Sequence, residues 1–175
     1  MRVILSVCSL TLAALGLFWI FSLRVNATAS MPRGVYRLIP GLLERDDLVS
    51  FCLEEGDFAN LALDRGYLRP GSCPNGLEPL LKRVAGIPGD RLEISQGGIA
   101  INGRLWPQSR AVYRDGHDRP MPDAKSLKSR TIPDGLVLVL SDRHPGGFDG
   151  RYFGLVPIAT LQKVEPVFLL DPKGE

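Results

Sequence analysis

Apolar residues fall into two kinds of run along this chain of 175 residues. Near the start, Val3 to Leu23 form one run of 21 residues without a charged side chain. At about 1.5 Å rise per residue, a helix of that length spans the roughly 30 Å hydrocarbon core of a bilayer. The pattern therefore predicts an N-terminal transmembrane helix, with Trp19 near its end in the interfacial zone that indole rings favour.

The same segment also fits a cleavable signal peptide, because the Ala-Thr-Ala sequence at residues 27–29 has the small-x-small pattern of a processing site. The apolar run exceeds the roughly 7 to 15 residues of a usual signal core, which favours a retained anchor. Charge does not fix the orientation, since Arg2 and Arg24 lie on opposite sides of the run. We predict an anchor over residues 1–24 and one domain over residues 25–175, with a soluble domain freed by cleavage as the alternative.

After residue 36 the apolar runs are short and separated by turn residues, a pattern typical of an all-β domain. The run Leu136–Leu140 is continuous and apolar, which predicts a strand in the core. Gly97-Gly98 between two short apolar runs indicates a β-hairpin. A short helix is expected at 58–63, and further strands are expected at 48–53, 80–85, 156 and 164–170. The chain thus predicts a mainly β fold behind one N-terminal transmembrane helix.

Residues 104–130 differ from the rest of this domain. They carry seven basic residues against three acids, contain three prolines and hold few aliphatic side chains. Prolines and missing periodicity argue against regular elements. We therefore predict a long exposed loop or flap.

Composition narrows the class of protein. With 45% hydrophobic residues the chain can bury one core, which agrees with a single domain. The net charge is +2, and since Arg2 and Arg24 supply that excess, the remainder is neutral. A nucleic-acid-binding domain is normally basic, so we expect no nucleic-acid partner.

The cysteines bear on the compartment. Cys8 lies in the apolar run, which leaves Cys52 and Cys73 in the domain. Free thiols would be ordinary in the cytosol, whereas a disulfide between them is plausible in an oxidising compartment such as the periplasm. No CxxC motif or matching histidine spacing accompanies them, so we expect no metal site.

Ser30 is the candidate nucleophile, at the start of the water-soluble part. A serine hydroxyl needs a nearby base at neutral pH. His117 and His144 both lie in loop-like sequence, whereas Lys82 lies inside an apolar, strand-like run. In a strand Lys82 would share a face with Leu80 and Val84, where desolvation lowers the lysine pKa from its usual value of about 10.4 and favours a neutral amine. The alternative is that Lys82 reaches solvent at a strand edge.

Three blocks of the sequence follow one another: Ser30-Met31-Pro32, residues 82–90 (KRVAGIPGD) and residues 141–154. Together and in this order they resemble the signal peptidase I clan, the serine/lysine-dyad membrane proteases. Within the clan, residues 26–37 and the small size are similar to TraF-type peptidases of conjugative transfer systems. The resemblance implies a signal-peptidase-like antiparallel β domain, anchored in the cell inner membrane by a single pass and facing the periplasm.

The resemblance also implies roles for individual residues. Ser30 would be the nucleophile and Lys82 its general base, forming an acyl-enzyme without metal or organic cofactor. Thr28 resembles the hydroxyl that helps the Ser30 backbone N–H form an oxyanion hole, although a local turn hydrogen bond is its simpler role. Asp149 and Arg151 would form a buried pair that positions the lysine strand.

The third block departs from the clan at one position. Leader peptidases carry a serine two residues before the aspartate, in contact with the lysine, and here that residue is Gly147. Another group or packing must then orient Lys82. Asp149 and Arg151 stand two apart, so they would share one face if this segment were extended.

Three functions remain open at this point. The resemblance favours a peptidase that processes, and in some cases cyclises, a conjugative pilin precursor at the membrane. A general type I signal peptidase for secreted preproteins is the enzymatic alternative. The third is a catalytically weak, anchored component of a transfer apparatus, an idea to which Gly147 lends support.

Overall fold

The computed structural model describes Gly16 and residues 23–122, 127–141 and 143–170. Gly16 is helical. The described residues from 23 onwards include two α-helices, α1 (Asp57–Asp64) and α2 (Gly150–Phe153), and a 3₁₀ turn at Ile158–Thr160. The strands are β1 (Leu23–Asn26), β2 (Gly34–Leu38), β3 (Leu48–Phe51), β4 (Leu80–Gly86), β5 (Arg91–Ser95), β6 (Gly98–Ile101), β7 (Arg104–Leu105), β8 (Arg130–Thr131), β9 (Leu136–Leu140), β10 (Val156–Pro157) and β11 (Gln162–Leu169).

The strands form two antiparallel sheets. The larger sheet has the order β1-β2-β11-β3-β4-β9-β10 and the smaller sheet the order β7-β6-β5-β8. Every pair of neighbouring strands is antiparallel. The predicted mainly β, antiparallel fold is confirmed, as are the hairpin of β5 and β6 and the short helix α1.

Strand β9 lies between two cores. Val137 and Val139 pack in a cluster with residues of β3, β4 and α1. Leu138 and Leu140 point to the other side and pack with residues of β5 and β6, so this second cluster joins the two sheets. Alternate residues of a strand face opposite sides, and both sides of β9 are buried, which explains its uninterrupted apolar sequence.

Strand β1 corrects the predicted end of the anchor. Leu23 and Arg24, which the apolar pattern assigned to residues 1–24, belong to a strand that pairs with β2, with Leu23 opposite Arg37 and Asn26 opposite Gly34. The apolar run continues into β1 because Leu23, a half-buried strand residue, is as apolar as the end of a membrane helix. The rest of the predicted span lies outside the described residues. Among those described, no helix is long and apolar enough to cross a bilayer.

The segment 104–130 begins in β7 and ends in β8. Most of its described side chains are exposed, but Ser109 and Leu127 are buried. The Ser109 hydroxyl donates to the Trp106 carbonyl (2.7 Å) and accepts from the Ile99 amide (2.9 Å). The segment is therefore irregular but held against the smaller sheet at several points.

Candidate active site

Ser30 and Lys82 meet although they are 52 residues apart in sequence, with Lys82 Nζ 3.1 Å from Ser30 Oγ. Lys82 lies on β4 opposite Val49 of β3. Its side chain is only 3% exposed, so it does not extend into solvent. The residues two positions before and after it, Leu80 and Val84, lie in the first core cluster.

Ser30 lies in the turn between β1 and β2, and Asn26 shapes this turn. Asn26 Nδ2 donates to the carbonyl oxygens of Thr28 (3.2 Å), Met31 (3.1 Å) and Pro32 (3.0 Å). Met31 is fully buried and packs with Tyr36. The Asn26 amide and the buried Met31 side chain thus fix the turn, and Ser30 lies half-exposed at its tip.

Thr28 Oγ1 lies 3.1 Å from Ser30 Oγ. The same hydroxyl donates its hydrogen to Asn26 Oδ1 at 2.8 Å. A threonine hydroxyl has one hydrogen, so towards Ser30 it can only accept. In this arrangement Thr28 holds the Ser30 hydroxyl, and it could donate to an oxyanion only after turning away from Asn26.

Asp149 and Arg151 form a buried pair, with exposed side-chain fractions of 0% and 1%. Arg151 Nε and Nη2 donate to the two carboxylate oxygens of Asp149, both at 2.8 Å. Burial alone would lower the pKa of the Arg151 guanidinium, but the hydrogen bond and charge of Asp149 raise it above its usual value. The two hydrogen bonds make the pair bidentate.

Asp149 and Arg151 do not lie together on one extended segment. Asp149 is the N-cap of α2, and its carboxylate accepts from the backbone amides of Arg151 (3.1 Å) and Ser141 (2.9 Å). Arg151 meets its partner at the first turn of α2, where its Nε and Nη2 reach back to the Asp149 carboxylate. A four-residue helix is too short to leave a periodic pattern in the sequence.

Arg151 also holds two loops beside the pair. Its Nη1 donates to the carbonyl oxygens of Gln108 (3.1 Å) and Arg110 (3.0 Å), and its Nη2 donates to that of Gly147 (2.8 Å). The Pro145 carbonyl accepts as well. The pair thus ties the third sequence block and the segment 104–130 to the end of β9.

A cleft of about 300 Å³ opens around the Ser30/Lys82 contact. Its walls come from β1, from Tyr67 and Leu68, from the start of β4 and from residues 146–148. His144, which its loop-like sequence had set aside, lines the cleft too, and its Nδ1 accepts from the Gly146 amide at 3.0 Å. Its place within the block 141–154 was the signal that could have indicated this. Glu78, which no sequence feature singled out, also lines the cleft.

Cys52 and Cys73 form a disulfide, with their Cα atoms 5.6 Å apart. It closes the segment that carries α1 and the cleft residues Tyr67 and Leu68. In the part of the chain that the structure describes, no three His, Cys, Asp or Glu side chains converge as a metal site.

The family description "signal peptidase, peptidase S26" matches residues 1–167. The chain belongs to this family. It is 35% identical over 167 residues to a probable conjugal transfer protein TraF of Sinorhizobium fredii, covering 90% of this chain and 84% of that one. A plasmid transfer protein TraF of Escherichia coli is 36% identical over 141 residues, covering 81% and 79%. A crystal structure of a signal peptidase I from Enterococcus faecalis covers 71% of this chain and 97% of its own, at 24% identity and a TM-score of 0.41.

Proposed function

We propose that this chain is a membrane-anchored serine endopeptidase that uses a Ser30/Lys82 dyad to process a pilin precursor of a conjugative transfer system. The observation that carries the proposal is the 3.1 Å contact between Lys82 Nζ and Ser30 Oγ, made by a lysine that is only 3% exposed. Burial removes much of the hydration that favours an ammonium, which suits a general base. Membership of the peptidase S26 family supports the reaction class, and the names of the TraF relatives support the setting.

The reaction is acyl transfer. The Ser30 hydroxyl turns its hydrogen from Thr28 to the neutral Lys82 amine. Lys82 takes this proton while Oγ bonds to the substrate carbonyl carbon, which gives a tetrahedral oxyanion. The C–N bond then breaks, the Lys82 ammonium returns its proton to the leaving amine, and an ester to Ser30 remains. Water that loses a proton to Lys82 hydrolyses this ester. Attack by the substrate's own amino terminus would instead give a cyclic peptide.

The cleft suits an extended peptide. Strand β1 lies at the edge of the larger sheet and lines the cleft, so it offers backbone groups to which a substrate strand could add. The lining of the cleft also includes Leu68 and Phe148, which would contact apolar substrate side chains. We propose that the uncharged run near the N-terminus anchors the chain in the inner membrane and that the disulfide-bearing domain faces the periplasm.

The test is substrate processing by the full chain and two variants. Ser30→Ala should keep the wild-type melting temperature and abolish processing. Lys82→Arg should be equally inactive, because a guanidinium stays protonated at any workable pH. Lys163→Arg, at a lysine that pairs with Asp47, is the matched control and should process normally.

Near-wild-type turnover by Ser30→Ala would contradict the assignment of Ser30 as the nucleophile. An active Lys82→Arg would show that Lys82 acts only as a positive charge and not as a general base. A pilin precursor and an ordinary secretory preprotein should be compared as substrates. Equal processing of both would favour a general signal peptidase. Failure of a serine-directed acylating probe to label Ser30 would favour an anchored component without activity.

A further inference from the structure

Gly147 lies in the wall of the cleft that also contains Ser30 and Lys82. A Cβ atom built on Gly147 would lie 2.3 Å from Ser141 Oγ and 2.8 Å from Ser141 Cβ. Real atoms do not approach so closely in a packed interior. The Ser141 side chain therefore occupies the volume that a larger residue at position 147 would need.

Ser141 follows directly on β9, the strand that pairs with the lysine strand. Strands β4 and β9 pair with Arg83 opposite Leu140 and Val84 opposite Val139. Continued by one residue, this register places Ser141 opposite Lys82. Directly opposite residues of antiparallel strands have Cβ atoms about 4.5 to 5.5 Å apart on one face of the sheet. On that continued register the Ser141 side chain would leave the backbone next to that of Lys82.

The Ser141 hydroxyl is not committed elsewhere. The residue is 1% exposed, and among the described residues its buried Oγ has no hydrogen-bond partner. Buried hydroxyls without a partner are rare, and each needs an explanation. The backbone on both sides of the contact is fixed, since Asp149 Oδ2 accepts from the Ser141 amide (2.9 Å) and Arg151 Nη2 donates to the Gly147 carbonyl (2.8 Å).

We propose that Ser141 is the positioning residue for Lys82, in place of the side chain that Gly147 lacks; this inference rests on the proposed function. A neutral amine has two N–H donors and one lone pair. Rotation of the Ser141 side chain lets its Oγ accept from one Lys82 N–H, which directs the lone pair at the proton of Ser30. In this role the Asp149–Arg151 pair acts on Lys82 through Ser141 and Gly147, whose backbones it holds.

The experiment measures the rate at which a serine-directed acylating probe labels Ser30 in the full chain, as a function of pH. Ser141→Ala should keep the wild-type melt, while the rate at its high-pH plateau falls by roughly tenfold or more, since a misdirected base reacts slowly. The midpoint of the rise should move to lower pH, because a hydroxyl acceptor stabilises the ammonium more than the amine. A purely structural serine would not move that midpoint. Ser129→Ala is the matched control, since it removes a hydroxyl that accepts from the Ile94 amide in the smaller sheet.

A second pair of variants moves the hydroxyl instead of deleting it. Ser141→Gly should lose rate like Ser141→Ala, and the exchange Ser141→Gly with Gly147→Ser should regain most of that loss. Gly147→Ser alone should be destabilised, because its new Cβ meets Ser141 Oγ. Wild-type rates in Ser141→Ala, or a slow variant with an unmoved midpoint and no rescue, would overturn the inference. If the wild type itself shows no Ser30-dependent labelling, the proposed function falls, and this inference falls with it.

Discussion

At the scale of single residues, one amide organises the turn that carries Ser30. Asn26 is 8% exposed and uses both ends of its side chain, with Nδ2 donating to three backbone carbonyls and Oδ1 accepting from Thr28. The sequence places Asn26 close to Ser30, but it does not show that the acceptors lie up to six residues further on. That geometry depends on how the turn folds. The fold of the turn depends on burial of Met31 and Tyr36 against the sheet.

Asn26→Asp tests this residue. A carboxylate has no hydrogen to donate and would face three carbonyl oxygens, so the variant should lose roughly 1 to 3 kcal/mol of stability and most of its activity. Asn60→Asp, at an exposed position of α1, is the matched control and should change neither quantity. The measurements are a thermal melt and the rate of Ser30 labelling. A variant that melts and reacts like the wild type would show that the three carbonyl contacts do not hold the turn.

At the scale of elements, the third sequence block folds as a strand end, a loop and one helical turn. The alternating and continuous apolar runs were enough to predict β4, β9 and the hairpin of β5 and β6. A strand buried on one face has alternating apolar residues, and a strand buried on both faces has a continuous apolar run. Helix α2 left no such trace. Its position depends instead on a close approach, since a Cβ atom on Gly150 would lie 2.7 Å from the Val139 carbonyl oxygen.

Substitutions of Asp149 test whether this element supports the site or takes part in the chemistry. Asp149→Ala leaves the Arg151 charge buried without its partner, which typically costs about 3 to 5 kcal/mol, so activity and stability should fall together. Asp149→Asn keeps the shape and one acceptor oxygen, and it should retain more stability and some activity. Both quantities are read from a thermal melt and a cleavage rate. An asparagine variant that melts like the wild type but is as inactive as Ser30→Ala would assign Asp149 a direct catalytic role.

At the scale of the whole molecule, the larger sheet joins distant parts of the chain. Strand β11, near the C-terminal end, inserts between β2 and β3, and it brings the turn that carries Ser30 into register with the strand that carries Lys82. Strand order of this kind cannot be derived from periodicity, because each strand's pattern reports its own burial and not its neighbour. The apolar run around Lys82 suggested it as the base for Ser30, and the resemblance of the blocks to a known clan indicated the same pairing, but neither gives the strand order that brings the two side chains together.

The disulfide acts at this scale as well, since it closes a separation of 21 residues that includes α1 and leads to the cleft wall at Tyr67 and Leu68. In the chain-entropy model such a loop contributes roughly 3 kcal/mol, which for a domain of this size corresponds to about 6 to 12 °C in melting temperature. Reduction of the purified protein should therefore lower the melting temperature by that amount. It should also slow substrate processing, because the disulfide no longer constrains the cleft wall. The Cys52→Ser, Cys73→Ser double variant should melt at the lower temperature with or without reductant. After reduction, alkylation should show that both thiols are free. If the wild type then still melts at its original temperature, the bridge does not hold the cleft wall. Protein isolated without reductant whose thiols alkylate readily would remove the argument for an oxidising compartment.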